Sequence, residues 1–183
     1  MTQPNLLVAI CGAHGYSGQA LISLVLQHPH LQLAGVFSRH DPTETHQRLP
    51  LLARHQILIW PMTQFNEQIT NVDIVLLATP PATSMELVRA CAQHSVKVID
   101  LSGAFRLPVD QFEHWYQMPH TATDSFPQTV YGLQPWHQTL LQHQSPSLIA
   151  NPGCYATGAL MALLPLIEHS ILQSDSIIID AKS

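Results

Sequence analysis

The chain has 183 residues, of which 46% are hydrophobic and only 10% charged, and its formal net charge is −5. This balance can fill a sizeable core and excludes a disordered chain, while seven Lys plus Arg are too few for a surface that binds nucleic acid. The length fits one domain, or one domain and part of a second.

In chain order, NLLVAIC (residues 5–11) is a short, almost continuous apolar run, the pattern of a strand covered on both faces. A glycine cluster follows, then QALISLVLQ (19–27) with helical periodicity, stopped at His28-Pro29. LQLAGVFS (31–38) alternates as a second strand, residues 57–60 form a short third one, and DIVLLA (73–78) is a buried strand. Residues 84–94 predict a helix and VKVIDL (96–101) another strand. Strands alternating with helices in this way predict an α/β fold with a doubly wound parallel sheet of Rossmann type. Between 107 and 147 the pattern loosens into Pro, Gln, His and aromatics, with one helical piece at 111–116. Residues 148–150 predict a brief strand, 155–169 a helix kinked at Pro165, and SIIIDA (176–181) a terminal strand.

Three cysteines, Cys11, Cys91 and Cys154, are odd in number and widely spaced, which favours a reducing compartment over a disulfide framework. The N-terminus has no basic leader, and no stretch reaches the ~18 apolar residues of a membrane span. A cytoplasmic protein without a membrane partner is expected. The twelve histidines show no Cys or carboxylate cluster at ligand spacing, so no metal site is expected either.

Gly12, Gly15 and Gly18 lie between the first strand and the first helix, where a dinucleotide fingerprint must lie. Gly12 permits a tight turn, Gly15 lets the backbone approach a pyrophosphate, and Gly18 lets the helix pack close to the sheet. His14, Tyr16 and Ser17 complete this candidate cofactor loop, whose free N–H groups, at the positive end of the helix dipole, would underlie the phosphates. A glycine-rich turn without a ligand would have the same pattern. At the end of the second strand, where a site preferring NAD places an acid, the chain reads Ser38-Arg39, a hydroxyl and a guanidinium able to hold a 2′-phosphate. The alternative is a solvated surface arginine. Asp41 stands one or two residues too late to serve as the acid.

Cys154 follows Pro152-Gly153 at a predicted helix start. It is either a small apolar residue opening a buried helix or a reactive thiol. For the second reading, a helix N-terminus stabilises thiolate, and its unpaired N–H groups can hold an oxyanion. A thiolate on a chain that also binds nicotinamide points to acyl-thioester chemistry with hydride transfer.

The stretches GAHGYSG, VIDLSGAFRL, VYGL, NPGCYATG and IIIDAKS resemble the N-acetyl-gamma-glutamyl-phosphate reductases, in the family's order and over nearly the whole chain. NPGCY is the specific element, because the related aspartate-semialdehyde dehydrogenases usually have Asn-Cys there. The resemblance implies an NADP-dependent reductase of arginine biosynthesis, acting on the small molecule N-acetyl-glutamyl 5-phosphate and homo-oligomeric when full length. It makes Cys154 the nucleophile and Arg106 an anion clamp, a structural salt bridge being the alternative for that arginine. Ser102 and Asn151 become neighbours of substrate, and Thr79, Pro80 and Pro81 neighbours of the nicotinamide ribose.

The same resemblance divides the chain into an NADP-binding Rossmann domain (1–148) and the opening of a glyceraldehyde-3-phosphate-dehydrogenase-like catalytic domain (149–183). The family continues past AKS with a substrate loop and an acid/base histidine. An aspartate-semialdehyde dehydrogenase-like enzyme and an inactive NADP-binding module are the competing readings. His14 in place of a usual Ser or Thr, Ala104 in place of Asp, and Ala156 in place of Pro depart from the family pattern.

Overall fold

In the computed structural model, residues 5–124 and 129–182 are described. Residues 1–4, 125–128 and 183, which the two expected domains include at their ends or within them, lie outside this description. The strands β1 (Leu6–Cys11), β2 (Leu31–Ser38), β3 (Leu58–Pro61), β4 (Ile74–Leu77), β5 (Lys97–Asp100), β6 (Thr129–Tyr131) and β7 (Leu148–Ala150) form one sheet. Its order is β3-β2-β1-β4-β5-β7-β6, and all the pairings are parallel. The Rossmann-type, doubly wound α/β class expected from the alternation is the one observed.

Each inner strand splits its side chains between two cores. Ala9, Cys11, Val75, Leu77 and Val98 face one side, while Val8, Ile10 and Leu76 face the other. Burial on both faces is why these strands read as unbroken apolar runs rather than as alternating ones. The β1–β2 register slips between Val8 and Ala9, where Leu33 and then Gly35 are the partners. The extra residue, Ala34, resets the alternation, so Leu33 and Val36 share a face although three positions separate them.

Helices α1 (Tyr16–Gln27), α2 (Pro42–Arg48), α3 (Pro50–Arg54), α4 (Phe65–Gln68), α5 (Pro81–Gln93), α6 (Val109–Tyr116), α7 (Gln138–Gln144) and α8 (Cys154–Glu168) complete the chain. Several differ from expectation. α1 begins at Tyr16 and α5 at Pro81, because glycine and proline are tolerated at a helix start even where they interrupt an interior. In the segment 107–147 the helical piece expected at 111–116 is α6, whereas β6 and α7 were not expected, because their short lengths and polar or aromatic composition hide their periodicity. α2 was also unexpected, although its start carries a recognisable signal: the Asp41 side chain accepts the Thr43 N–H, and Pro42 stands at the first helical position.

The strand expected at 176–181 does not form. A strand exists only with a ladder partner, and here Ile178 and Ile179 are 92% and 59% exposed. α8 runs through Pro165, and none of its residues is buried, although Tyr155, Met161, Leu166 and Ile167 are apolar.

Candidate active site at the carboxyl edge of the sheet

The sheet reverses its winding between β1 and β4. In open α/β sheets the crevice beyond the carboxyl ends of the strands at that point is where ligands bind. A cleft of about 230 Å³ lies there, lined among others by Gly12, His14, Gly15, Arg39, Thr79 and Thr83.

The three glycines have separate reasons to be glycine. Gly12 has φ +86°, and a Cβ on it would stand 2.2 Å from the Ala78 carbonyl oxygen. A Cβ on Gly18 would stand 2.1 Å from the Gly12 carbonyl oxygen, so α1 touches the turn directly. Gly15 has an ordinary backbone conformation, and its added Cβ would meet only the Gly12 oxygen at 3.7 Å. The protein itself does not need glycine at position 15, and the space beyond it is the cleft. No side chain caps the start of α1, so its first N–H groups remain available to an anion. Tyr16 and Ser17 are exposed beside them, and Tyr16 is 96% exposed.

At the end of β2 the sequence candidates separate. The Ser38 hydroxyl is buried, pairs with Thr45 Oγ1 at 3.0 Å and accepts the His40 N–H at 3.0 Å. The Arg39 guanidinium is exposed, and its Nη2 donates to Thr83 Oγ1 at 3.3 Å. The His14 and His40 rings meet edge to face at 4.7 Å, and His14 Nε2 is shielded from solvent without a partner. Desolvation, then the nearby His40 and Arg48, hold the His14 imidazole below its usual pKa, with Glu44 opposing them. The Asp41 carboxylate is committed to capping α2.

Cys154, Arg106, Ser102 and Asn151 gather beyond β5 and β7. Arg106 donates Nε to the Asn151 carbonyl at 2.8 Å and Nη2 to the Leu101 carbonyl at 2.6 Å, latching the two strand ends together. Its third nitrogen, Nη1, lies 2.9 Å from where a Gly153 Cβ would be, against the residue before Cys154. No side-chain carboxylate forms an ion pair with it among the described residues. Cys154 is exposed at the first position of α8, whereas Cys11 and Cys91 are buried. A groove of about 480 Å³ runs beside it, walled by Arg106, Tyr116, Tyr131 and Ala156.

Asp100 was not singled out from the sequence. Its side chain is fully buried at the end of β5 and accepts from Ser102 N–H at 3.1 Å and Ser102 Oγ at 2.6 Å. Burial raises its carboxyl pKa, against hydrogen bonds from Ser102 and Ser84 and the charge of Arg106. The available signal was an acid closing the apolar run VKVID. Because the folded pKa is raised, Asp100 favours folding most below the unfolded pKa of ~3.9, and that contribution is lost as pH rises through the folded value. Relative to Asp100→Asn, the wild-type chain is therefore expected to lose stability on going from pH 4 to pH 7. Urea unfolding at both pH values reads this, and a constant difference between the two proteins would contradict it.

Residues 7–144 match the family described as semialdehyde dehydrogenase, NAD binding domain. The chain belongs to that family. The chain is 40% identical over 172 residues to a protein of Alteromonas mediterranea named N-acetyl-gamma-glutamyl-phosphate reductase, covering 90% of the chain and 50% of the relative. A Bacillus cereus protein of the same name is 41% identical over 182 residues, covering 96% and 51%. The chain thus spans about half the length of the curated relatives it matches. Aspartate semialdehyde dehydrogenase II from Vibrio cholerae shares the fold of the NAD-binding domain with a TM-score of 0.59 at 17% identity, over 90% of this chain and 47% of that one. Scyllo-inositol dehydrogenase from Lactobacillus casei does so with a TM-score of 0.57 at 13% identity, over 93% and 43%. Among the described residues no helix is long and apolar enough to cross a membrane, and no group of three or more His, Cys, Asp or Glu is placed to hold a metal.

Proposed function

We propose that the chain supplies the NADP(H)-binding part and the nucleophile of an N-acetyl-gamma-glutamyl-phosphate reductase, the cytoplasmic, homo-oligomeric enzyme that converts N-acetyl-glutamyl 5-phosphate to the 5-semialdehyde in arginine biosynthesis. The observation that carries the reading is the exposed thiol of Cys154, directly after Gly153 against which the Arg106 guanidinium packs, on the same sheet edge as the glycine cleft. The relatives at 40–41% identity support it.

Gly12, Gly15 and the first N–H groups of α1 would hold the pyrophosphate, and Thr79 and Pro80 would border the nicotinamide end. When bound, the dinucleotide supplies a hydride. Cys154 attacks the acyl carbonyl, and the C–O bond to phosphate breaks with its electron pair leaving on the phosphate. This gives a thioester on sulfur. Arg106, with donors left over after its two carbonyl bonds, would anchor the anionic end of the substrate. Ser102 and Asn151 would act there indirectly, Ser102 through the loop that carries Arg106 and Asn151 through the carbonyl that Arg106 holds. We place the domain boundary near 148, with 149–183 opening the catalytic domain, and the uncovered apolar side chains of α8 support a further layer packing there.

Acylation tests the reading directly. With N-acetyl-glutamyl phosphate generated in situ, Cys154 is expected to gain the mass of an N-acetyl-glutamyl group, removable by hydroxylamine. No adduct, or an adduct with an aspartyl phosphate only, would refute the substrate assignment.

Cofactor choice follows from the β2 end. Arg39, with His14 and His40 beside it, presents positive charge or imidazole, and of the two nearby acids Asp41 caps α2 while Glu44 pairs with Arg48 and His40. NADPH is expected to bind more tightly than NADH, and Arg39→Ala to narrow the gap by about tenfold, the worth of one charge-assisted contact. Fluorescence titration of both cofactors reads it. Equal affinities in the wild-type chain would refute the NADP assignment.

A further inference from the structure

We infer that the imidazoles of His14 and His40 form, beside Arg39, a second recognition element for the cofactor's 2′-phosphate, and that this phosphate binds together with a proton. This deepens the NADP(H) reading proposed above and rests on it.

The two rings come from different parts of the fold. His14 lies in the glycine loop before α1, where the Gln19 side-chain amide donates to its main-chain carbonyl at 3.0 Å. His40 follows β2, and its N–H donates to the buried Ser38 hydroxyl at 3.0 Å, which fixes where the chain leaves the sheet. The rings meet edge to face with centroids 4.7 Å apart, and both line the cleft that Arg39 lines. The Arg39 guanidinium reaches to α5, where its Nη2 donates to Thr83 Oγ1 at 3.3 Å. His14 Nε2 is shielded from solvent and has no hydrogen-bond partner. A shielded ring nitrogen without a partner costs free energy. A phosphate oxygen in this cleft would supply the missing partner.

The charged groups around the pair are Arg39 at the end of β2 and Glu44 and Arg48 on α2. Glu44 gives one carboxylate oxygen to Arg48 Nη2 at 2.6 Å and faces His40 Nδ1 with the other at 3.5 Å. Asp41 is held by the Thr43 N–H at the start of α2. With the cleft empty, desolvation and the neighbouring His40 and Arg48 disfavour a charge on His14, against Glu44. A phosphate monoester carries close to two negative charges at pH 7. Set against the two rings, it reverses that balance and favours the charged imidazole. The proton therefore enters with the phosphate. Arg39 cannot take one up, because a guanidinium is charged throughout.

A site built from Arg39 alone and a site that includes the histidines differ in the sign of their pH dependence. The phosphate itself loses charge near pH 6. With Arg39 alone, the preference for NADPH over NADH stays constant or falls as pH drops from 8 to 6.5. With the imidazole pair it rises, and the expected rise is about threefold to tenfold. Fluorescence titration of both cofactors at the two pH values reads it. The same rise is expected for 2′,5′-ADP relative to 5′-AMP, which confines the effect to the phosphate and needs no nicotinamide. His14→Gln keeps a donor that does not titrate, and is expected to abolish the rise. His40→Gln is expected to lower the preference at pH 6.5. Arg39→Ala is expected to lower it at both pH values and keep the rise.

A preference that is flat or falls with pH in the wild-type chain would overturn the inference and leave the NADP(H) reading standing. So would a wild-type preference at pH 6.5 in His14→Gln or His40→Gln. If either variant weakens NADPH and NADH equally, the histidines merely support the glycine loop, and the inference is likewise overturned. A wild-type chain that prefers neither cofactor at either pH refutes the NADP(H) reading itself, and the role of the pair with it.

Discussion

Gly15→Ala is expected to fold normally and lose dinucleotide binding, whereas Gly12→Ala is expected to fail to fold stably. The two glycines are three residues apart in one loop, and their surroundings differ. A methyl group on Gly12 would meet the Ala78 carbonyl oxygen at 2.2 Å, and its φ of +86° is strained for any L side chain. The left-handed conformation alone costs roughly 1–2 kcal/mol. The contact is with backbone directly after the adjacent strand β4, which has no rotamer to retreat into, so the total reaches about 3–5 kcal/mol, a large part of a domain's stability. A methyl on Gly15 meets nothing closer than 3.7 Å and projects toward the cleft where a pyrophosphate would lie against the backbone. Displacing a diphosphate by the width of a methyl group lengthens its hydrogen bonds to α1, and the expected loss is about 10²-fold in affinity. Chemical unfolding and NADPH fluorescence titration on both variants read the contrast. A Gly15→Ala chain that binds NADPH as tightly as wild type would remove the physical reason for glycine there.

Cys154 is expected to react with iodoacetamide at neutral pH at least about 10²-fold faster than either other cysteine, because reactivity follows thiolate fraction and access. Burial pushes the Cys91 thiol up to about 12, so at pH 7 roughly one molecule in 10⁵ carries the thiolate. Cys11 is raised well above its ordinary value by burial and by the proximity of Cys91. Both pack inside the core on one face of the sheet, where a reagent reaches them only on opening of the fold. Cys154 stands in solvent at the first position of α8. Peptide mass spectrometry after brief exposure ranks the three sites, and Cys154→Ser should remove the fast phase. Modification of Cys11 or Cys91 first in the folded chain would contradict the nucleophile assignment.

Much of this architecture was legible in local pattern. Hydrophobic runs such as NLLVAIC and DIVLLA can be satisfied only by burial on both faces, and that requirement alone predicts a parallel sheet with helices on each side. The glycine spacing after β1 likewise predicts a turn that only glycine can make, and Gly12 and Gly18 have the close approaches that explain it. Tertiary structure decided what depends on partners distant in sequence. Among the described residues SIIIDA has the composition of a strand and no ladder to join, and α8 has an apolar sequence of which no residue is fully buried. Ser38 has a hydroxyl at the expected place, yet Thr45 and the His40 N–H, later in the chain, turn it inward. Asp100 looks like an ordinary end to an apolar strand. Only the folding of the Ser102 loop back onto it gives its carboxyl the donors it needs, because a buried acid takes its meaning from the donors the rest of the chain brings to it.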